Sequence, residues 1–278
     1  MLPRARKALG QHFLTDPHIL ARIAAALDPA PTDVVVEIGA GTGTLTRILA
    51  GGVGKVIAIE KDERLAHDCE LAIADRGLHN VQVVRADALT LDWRSIIPQS
   101  ALHHPQFKIA GNIPYNITTP LLERVVAVRP ERIVFLVQAE VADRIAAAPG
   151  SKIYGGLTVG IQTLCRAEKL FAVRAGSFTP PPRVHSAVLR LWPRAAPAVG
   201  DAEIAPFRTF VTACFSRRRK QLRNVVRALG GGDGAPPAID AGLAALGLDP
   251  EARPETLAPE AFVRLWRWVL ASGGPIVK

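Results

Sequence analysis

The run Val34-Val35-Val36-Glu37-Ile38 ends directly on Gly39-Ala40-Gly41-Thr42-Gly43, and Leu45, Ile48 and Leu49 follow at helical spacing. This strand–glycine–helix unit restricts the fold more than any other stretch. Gly41 and Gly43 carry no Cβ, so backbone can approach a ligand closely there. The spacing is Gly-x-Gly-x-Gly and not the Gly-x-Gly-x-x-Gly of dinucleotide binders, which disfavours pyrophosphate. A ligand with an amino-acid end suits Glu37 and the helix N-terminus better.

Further strands follow in alternation with helices. Asp16-Pro17 reads as an N-cap with proline at the first helical position, and Ile19, Leu20, Ile23 and Leu27 continue at helical spacing. Lys55 to Glu60 is a second strand, Val81 to Ala86 a third, Phe107 to Gly111 a fourth and Ile133 to Val137 a fifth, with a helix over Asp62 to Arg76. Lys169 to Arg174 and Val184 to Trp192 read as a late strand pair. Such alternation predicts an α/β fold with a doubly wound sheet. Residues 193–200 are rich in proline and alanine and read as a linker. Beyond it the pattern is purely helical. Phe207, Phe210, Val211 and Cys214 share a face, as do Leu222, Val225, Val226 and Leu229, and Phe262, Leu265, Trp266, Val269 and Leu270 form a last amphipathic helix. The expected division is a catalytic domain over 1–195 and a small all-helical domain over 196–278.

Ligands in doubly wound sheets sit beyond the carboxyl ends of the strands. Gly39, Glu60, Asp87 and Asn112 all fall at those ends. Glu60 is placed to grip two ribose hydroxyls, and Asp87 to accept from an adenine amino group. Asn112-Ile113-Pro114-Tyr115 follows the fourth strand. The Asn112 side-chain carbonyl, with a backbone carbonyl of Ile113 or Pro114, can accept from the N–H groups of a planar amine. Pro114 fixes the turn and restricts the residue before it. Tyr115 offers a flat face to a base. Alone, the tetrapeptide could equally be a turn with a packed tyrosine; its place at a strand end favours the site. Together with the glycine turn it suggests methyl transfer to an exocyclic base nitrogen, driven mainly by positioning.

The chain has 278 residues, 49% hydrophobic and 21% charged, with a net charge of +9. That balance suits a soluble enzyme with a polyanionic partner. No apolar run is long enough to span a bilayer. Arg4, Arg6 and Lys7 are not followed by an apolar segment, so no secretory signal is expected. Cys69, Cys165 and Cys214 lie far apart without a Cys-x-x-Cys pair, which argues against a disulfide framework or zinc site and for a reducing cytoplasm. His103-His104 reads as a loop pair, and no metal site is expected.

The chain resembles the bacterial small-subunit (16S) rRNA adenine N6,N6-dimethyltransferase family. The resemblance runs from Gln11 to about Arg223. It is carried by Gln11-His12-Phe13-Leu14, with His12 where the family has asparagine; by residues 37–46, with Ala40 where proline is common; by Asp87-Ala88-Leu89; by residues 112–116; and by residues 138–144, 154–159 and 178–186. It implies a Rossmann-like S-adenosylmethionine-dependent methyltransferase sheet. By that resemblance Gln11, His12 and Leu14 border the methionine end of S-adenosylmethionine and Gly39 and Gly41 line it. Glu60 holds the ribose, Asp87 with Ala88 the adenine. Asn112 and Ile113 orient the target amine, with Tyr115 and Phe178 flanking the target base. The implied substrate is two adjacent adenosines in a hairpin near the 3′ end of 16S rRNA, in the immature small ribosomal subunit, and a monomeric enzyme is expected.

Arg217, Arg218, Arg219, Lys220 and Arg223 form the densest basic cluster and are expected to meet RNA phosphates. Three other readings stay open on sequence: a 23S rRNA adenine dimethyltransferase of the antibiotic-resistance type, an assembly factor whose methylation is secondary, and a nicotinamide dehydrogenase. The glycine spacing and the Asn112 tetrapeptide speak against the last.

Overall fold

The computed structural model describes residues 6, 10–98, 107–229 and 239–272. Arg4, Lys7, the His103-His104 pair and the loop expected over Gly230 to Pro237 lie outside the described residues. The elements run β1 (Phe13–Leu14), α1 (Pro17–Ala26), β2 (Val34–Ile38), α2 (Thr44–Ala50), β3 (Lys55–Glu60), α3 (Glu63–Ala74), β4 (Val81–Arg85), α4 (Trp93–Ile96), β5 (Phe107–Asn112), α5 (Thr118–Ala127) and β6 (Arg132–Gln138). They continue with α6 (Ala139–Ile145), α7 (Gly156–Leu164), β7 (Cys165–Val173), β8 (Phe178–Thr179), β9 (Ser186–Pro193), α8 (Ile204–Phe215), α9 (Leu222–Leu229), α10 (Ile239–Ala245) and α11 (Pro259–Ala271).

The chain divides into two compact units. One comprises Met1–Ala142 with Ala167–Pro193, the other Asp143–Arg166 with Arg194–Lys278. The second stretch of the second unit resumes two residues before the expected boundary at 196. Residues 143–166, assigned on sequence to the first domain, are grouped with the second unit. The cause is a shared core: Tyr154 and Val159 pack with Phe207, Phe210, Val211 and Phe262 in one buried cluster. The buried Tyr154 hydroxyl donates to the Leu257 carbonyl at 2.7 Å, which satisfies its one polar atom.

In the first unit, seven strands are ordered β4-β3-β2-β5-β6-β9-β7. The pairs β4·β3, β3·β2, β2·β5 and β5·β6 are parallel, and β6·β9 is antiparallel. Val35, Val36, Val56, Ile57, Ile109, Ala110, Val134 and Leu136 have no exposed surface, as expected of parallel strands covered on both faces. Lys108 is the exception in this apolar belt. Its Nζ donates to Asp33 Oδ2 at 2.7 Å and to the Asp28 carbonyl at 2.6 Å, so its buried charge is paired. Asp16 caps α1 as expected, accepting from the His18 and Ile19 N–H groups.

The strands β1 and β8 form a separate antiparallel pair, with Phe13 opposite Thr179 and Leu14 opposite Phe178. Within the second unit, one face each of α8, α9 and α11 is buried in the common cluster, matching the spacing of their apolar residues. Cys69, Cys165 and Cys214 are free and buried. Among the described residues no helix is long and apolar enough to cross a membrane.

Candidate active site and nucleic-acid interface

The order of the sheet locates the site. From β2 the chain proceeds outward through β3 to β4, then returns to the other side of β2 for β5 and β6. The crevice beyond the carboxyl ends of β2 and β5 is therefore a topological switch point, where ligands bind in open α/β sheets. Register brings the strand ends level: Ile38 lies opposite both Ile59 and Gly111, Glu60 opposite Arg85, and Asn112 opposite Leu136. Close approach of β2 and β5 demands small residues here. A Cβ on Gly111 would run into the Ile38 carbonyl. Gly39 has a φ of +73°, and a Cβ there would sit 3.3 Å from the Asn112 carbonyl oxygen.

One cavity opens at this point. Its wall includes Gln11, His12, Gly39, Gly41, Glu60, Asp87, Ala88, Asn112, Ile113, Pro114 and Tyr115. These are eleven of the residues singled out on sequence for the cofactor and acceptor sites, brought together from five stretches of chain.

Glu60 sits at the centre of one side. Its carboxylate is 7% exposed and accepts from the Gly41 N–H at 2.9 Å and the Asp62 N–H at 2.8 Å. Burial raises its pKa above the usual carboxylate range, against the lowering effect of those N–H groups. With the Lys61 N–H also donating, at least one of the carboxylate's roughly four lone-pair sites stays open. The carboxylate is thus pre-aimed and under-satisfied, which fits a ligand that brings hydroxyl donors. Asp87 behaves oppositely. Lys61 Nζ donates to its Oδ2 at 2.7 Å and the Leu89 N–H to its Oδ1 at 2.9 Å, and these hold its pKa below the usual range. It is an ionised acceptor, suited to an amino group.

Gln11 and His12 belong to a strap drawn across the cavity. Gln11 Nε2 donates to Asp62 Oδ2 at 3.2 Å, and Asp62 also takes Arg64 Nη2 at 2.8 Å. On the far side, Thr15 N–H donates to the Ser177 carbonyl at 2.9 Å and β1 pairs with β8. Asp62 and Lys61 are not among the site residues expected from sequence; the partners that tie them to the site, Gln11 and Asp87, are remote in sequence, and only the Glu60-Lys61-Asp62 position at a strand end hints at them.

On the acceptor side, Asn112 Nδ2 donates to the His12 carbonyl at 2.8 Å. That bond assigns the amide orientation and leaves Oδ1 as the outward acceptor. Pro114 has its carbonyl engaged by the Ile117 N–H at 3.1 Å and Thr118 Oγ1 at 3.4 Å. Of the two backbone acceptors considered on sequence, the Ile113 carbonyl is therefore the better one. Tyr115 is half-buried, and its Oη lies 2.6 Å from Ser186 Oγ. Burial raises the Tyr115 pKa, so the phenol stays neutral.

Three expected residues are not on the cavity wall. Leu14 and Phe178 are 6% and 3% exposed and belong to the buried cluster with Leu20 and Ile23. Their mutual pairing explains it, because two apolar side chains on adjacent β1 and β8 bury each other. Glu37 is 2% exposed; burial pushes its carboxyl up to about 8, so it does not offer a charge to a ligand's amino-acid end at neutral pH. Among the described residues no group of metal-ligating side chains occurs.

The basic cluster splits in two. Arg218 donates through Nε to Glu255 at 2.7 Å and reaches the Lys152 carbonyl, and Arg223 pairs with Asp240 at 3.0 Å and Glu251 at 3.2 Å. Those two brace the second unit. Arg217, Arg219 and Lys220 are exposed in the turn between α8 and α9, and among the described residues none of them is paired with an acid. The phosphate-facing candidates are these three.

A family model described as ribosomal RNA adenine dimethylase matches residues 3–260. A ribosomal RNA small subunit methyltransferase A from Nitratidesulfovibrio vulgaris is 43% identical over 98% of this chain and 99% of its own. The structure of a dimethyladenosine transferase from Plasmodium falciparum has a TM-score of 0.79 at 27% identity, covering 94% of this chain and 98% of that one. That of the 23S rRNA methyltransferase ErmE has a TM-score of 0.71 at 28% identity, covering 92% of this chain and 99% of that one.

Proposed function

The chain belongs to the ribosomal RNA adenine dimethylase family, and from that premise we propose that it transfers methyl groups from S-adenosylmethionine to the N6 atoms of two adjacent adenosines near the 3′ end of 16S rRNA. The observation that carries this reading is the single cavity in which Glu60, Asp87 and Asn112 converge from three strand ends. S-adenosylmethionine, when bound, supplies a methyl group already activated by a positively charged sulfur.

The chain's own residues do the rest by holding. Glu60 would hold the ribose hydroxyls, and Asp87 with Ala88 would hold the adenine, Asp87 as acceptor for its amino group. Gly39 and Gly41 let the backbone come close at the methionine end, under the strap of Gln11 and His12. Asn112 Oδ1 and the Ile113 carbonyl accept from the N–H groups of the target amine and turn its lone pair toward the methyl. Tyr115 gives the base a flat support. No side chain needs to act as a strong base, because the amine loses its proton after attack. Placing two reactants in this way is worth roughly 7–11 kcal/mol of barrier. Phe178 acts through packing, by pinning β8 against β1 so that the strap is held.

The small-subunit substrate is favoured over 23S rRNA by the 43% identity to the small-subunit relative over nearly the whole chain. The likeness to ErmE, a 23S rRNA methyltransferase, supports the shared fold and methyl transfer to ribosomal RNA. The immature subunit as substrate, a monomer as the working form, and the cytoplasm as its place complete the reading; three free buried thiols suit a reducing compartment. Incubating unmethylated small subunits with labelled cofactor, then mapping by primer extension on both rRNAs, tests it. Label confined to adjacent 16S adenosines is expected, and label in 23S rRNA would refute it.

For the second unit we propose a phosphate-binding role centred on Arg217, Arg219 and Lys220. Each phosphate neutralised contributes about 0.7–0.9 to the slope of log K against log salt. An Arg219→Ala/Lys220→Ala variant is expected to lower that slope by about 1.5 in filter binding to the 16S target region. An unchanged slope removes the turn from the RNA interface. Arg218→Ala serves as the contrast, since its guanidinium is committed to Glu255.

A further inference from the structure

We propose that Lys61 is a positioning residue of the cofactor site, its ammonium fixing the Asp87 carboxylate as the acceptor for the 6-amino group of the cofactor's adenine. This rests on the S-adenosylmethionine-dependent reading above and adds to it a residue that acts through another.

Lys61 is joined to both cofactor acids. Its backbone N–H donates to the Glu60 carboxylate, and its Nζ donates to Asp87 Oδ2 at 2.7 Å. The sheet sets up this double attachment. Glu60 lies opposite Arg85 at the end of the parallel pair β3·β4, and the ladder runs one bond further, with the Ala86 N–H donating to the Glu60 carbonyl at 3.1 Å. Lys61 and Asp87 therefore leave neighbouring strand ends together, and both line the cavity.

The pair does little for the fold. The Lys61 side chain is 60% exposed and that of Asp87 24%, and ion pairs this open to water add little to stability. Its consequence lies at the carboxylate. The Leu89 N–H donates to Asp87 Oδ1 at 2.9 Å, so each oxygen is held by one donor and the carboxylate plane is set before a ligand arrives. The Lys61 hydrogen bond, followed by that of Leu89, holds the Asp87 pKa below the ordinary carboxylate range. Arg124 adds to this from a distance, its Nη2 being committed to the Leu91 carbonyl at 2.8 Å. An ionised carboxylate is acceptor-only, which selects an amino group over a carbonyl at the same place. A ligand that covers Asp87 also strips water from it, and a carboxylate losing water needs a partner charge to stay ionised. Lys61 supplies that charge.

The test measures, by calorimetry, the Kd of S-adenosylhomocysteine and of its 6-deamino analogue, in which hydrogen replaces the adenine amino group. It compares wild type with Lys61→Met, Lys61→Arg, Asp87→Asn and the double variant Lys61→Met/Asp87→Asn. The backbone N–H at position 61 is present in every variant, so the hold on Glu60 is retained. Lys61→Met is expected to weaken S-adenosylhomocysteine about 5- to 10-fold, and Lys61→Arg to stay within about twofold of wild type. The 6-deamino analogue should shift by less than about twofold in Lys61→Met, and Lys61→Met should cost less than about twofold when Asp87 is already asparagine. Retained binding of the analogue also shows that Lys61→Met is folded. An unchanged S-adenosylhomocysteine Kd in Lys61→Met overturns the proposal. Equal losses for the two ligands overturn it as well, since Lys61 would then support the cofactor by direct contact and not through Asp87. Wild-type protein that does not bind S-adenosylhomocysteine would sink the parent reading instead, so the two failures are distinguishable.

Discussion

Replacing Asn112 with alanine is expected to lower kcat by about 10²–10³, the cost of removing one preorganised hydrogen-bonding group from a reacting centre. The direction of the Asn112 amide sets this effect. Nδ2 is committed to the His12 carbonyl at 2.8 Å, so Oδ1 is the atom presented to the acceptor amine. Exocyclic amines of adenine are poor nucleophiles, their lone pair being delocalised into the ring. Accepting from their N–H groups restores density to the nitrogen and fixes its line of attack. This interaction strengthens as the C–N bond forms, so its loss appears in kcat. The Kd of S-adenosylhomocysteine should change by less than about threefold, because the cofactor carboxylates Glu60 and Asp87 are untouched. Turnover at the wild-type rate in Asn112→Ala would mean that the acceptor amine is held elsewhere.

The second large effect is expected at Glu60. Glu60→Gln should raise the Kd for S-adenosylmethionine by about 10- to 150-fold, the equivalent of a hydrogen bond to a charged group. Glutamine keeps the shape but presents one acceptor oxygen where the carboxylate presents two. The pH dependence carries a sign. Burial raises the Glu60 pKa above its ordinary value, and only the ionised form can accept from both hydroxyls. Affinity should therefore fall as pH drops through that raised pKa, at a higher pH than an exposed glutamate would dictate. In Glu60→Gln this acid limb disappears. Calorimetric titrations of both proteins at several pH values give the answer; an acid limb surviving in the variant would assign it to another group.

The strand ends were legible in the sequence for a physical reason. Parallel strands buried on both faces write nearly continuous apolar runs, so a polar residue at the end of a run stands out. Glu60, Asp87 and Asn112 were visible in this way, and the cavity gathers all three. What escaped notice depends on contacts between distant positions. Two-residue strands such as β1 and β8 leave no periodicity to read, so neither the strap nor the burial of Phe178 could be seen. Asp62 holds Gln11 across 51 positions, and sequence showed it only as a helix start. Arg218 and Arg223 read as members of one basic patch. Acids 37 and 28 residues away claim them, and the charge count alone does not tell a bracing arginine from a free one. Residues 143–166 look like an interlude between strands, yet their apolar side chains complete the core of the second unit.

The three cysteines have a practical consequence. Each has no exposed surface, and burial pushes each thiol up to about 12. A side chain that is both shielded and protonated resists alkylation until the structure around it opens. Cys69 belongs to the first unit, while Cys165 and Cys214 belong to the second. The native chain therefore carries its own chemical chronometers: the speed at which iodoacetamide modifies each sulfur clocks how often that particular half breathes apart, without any introduced label.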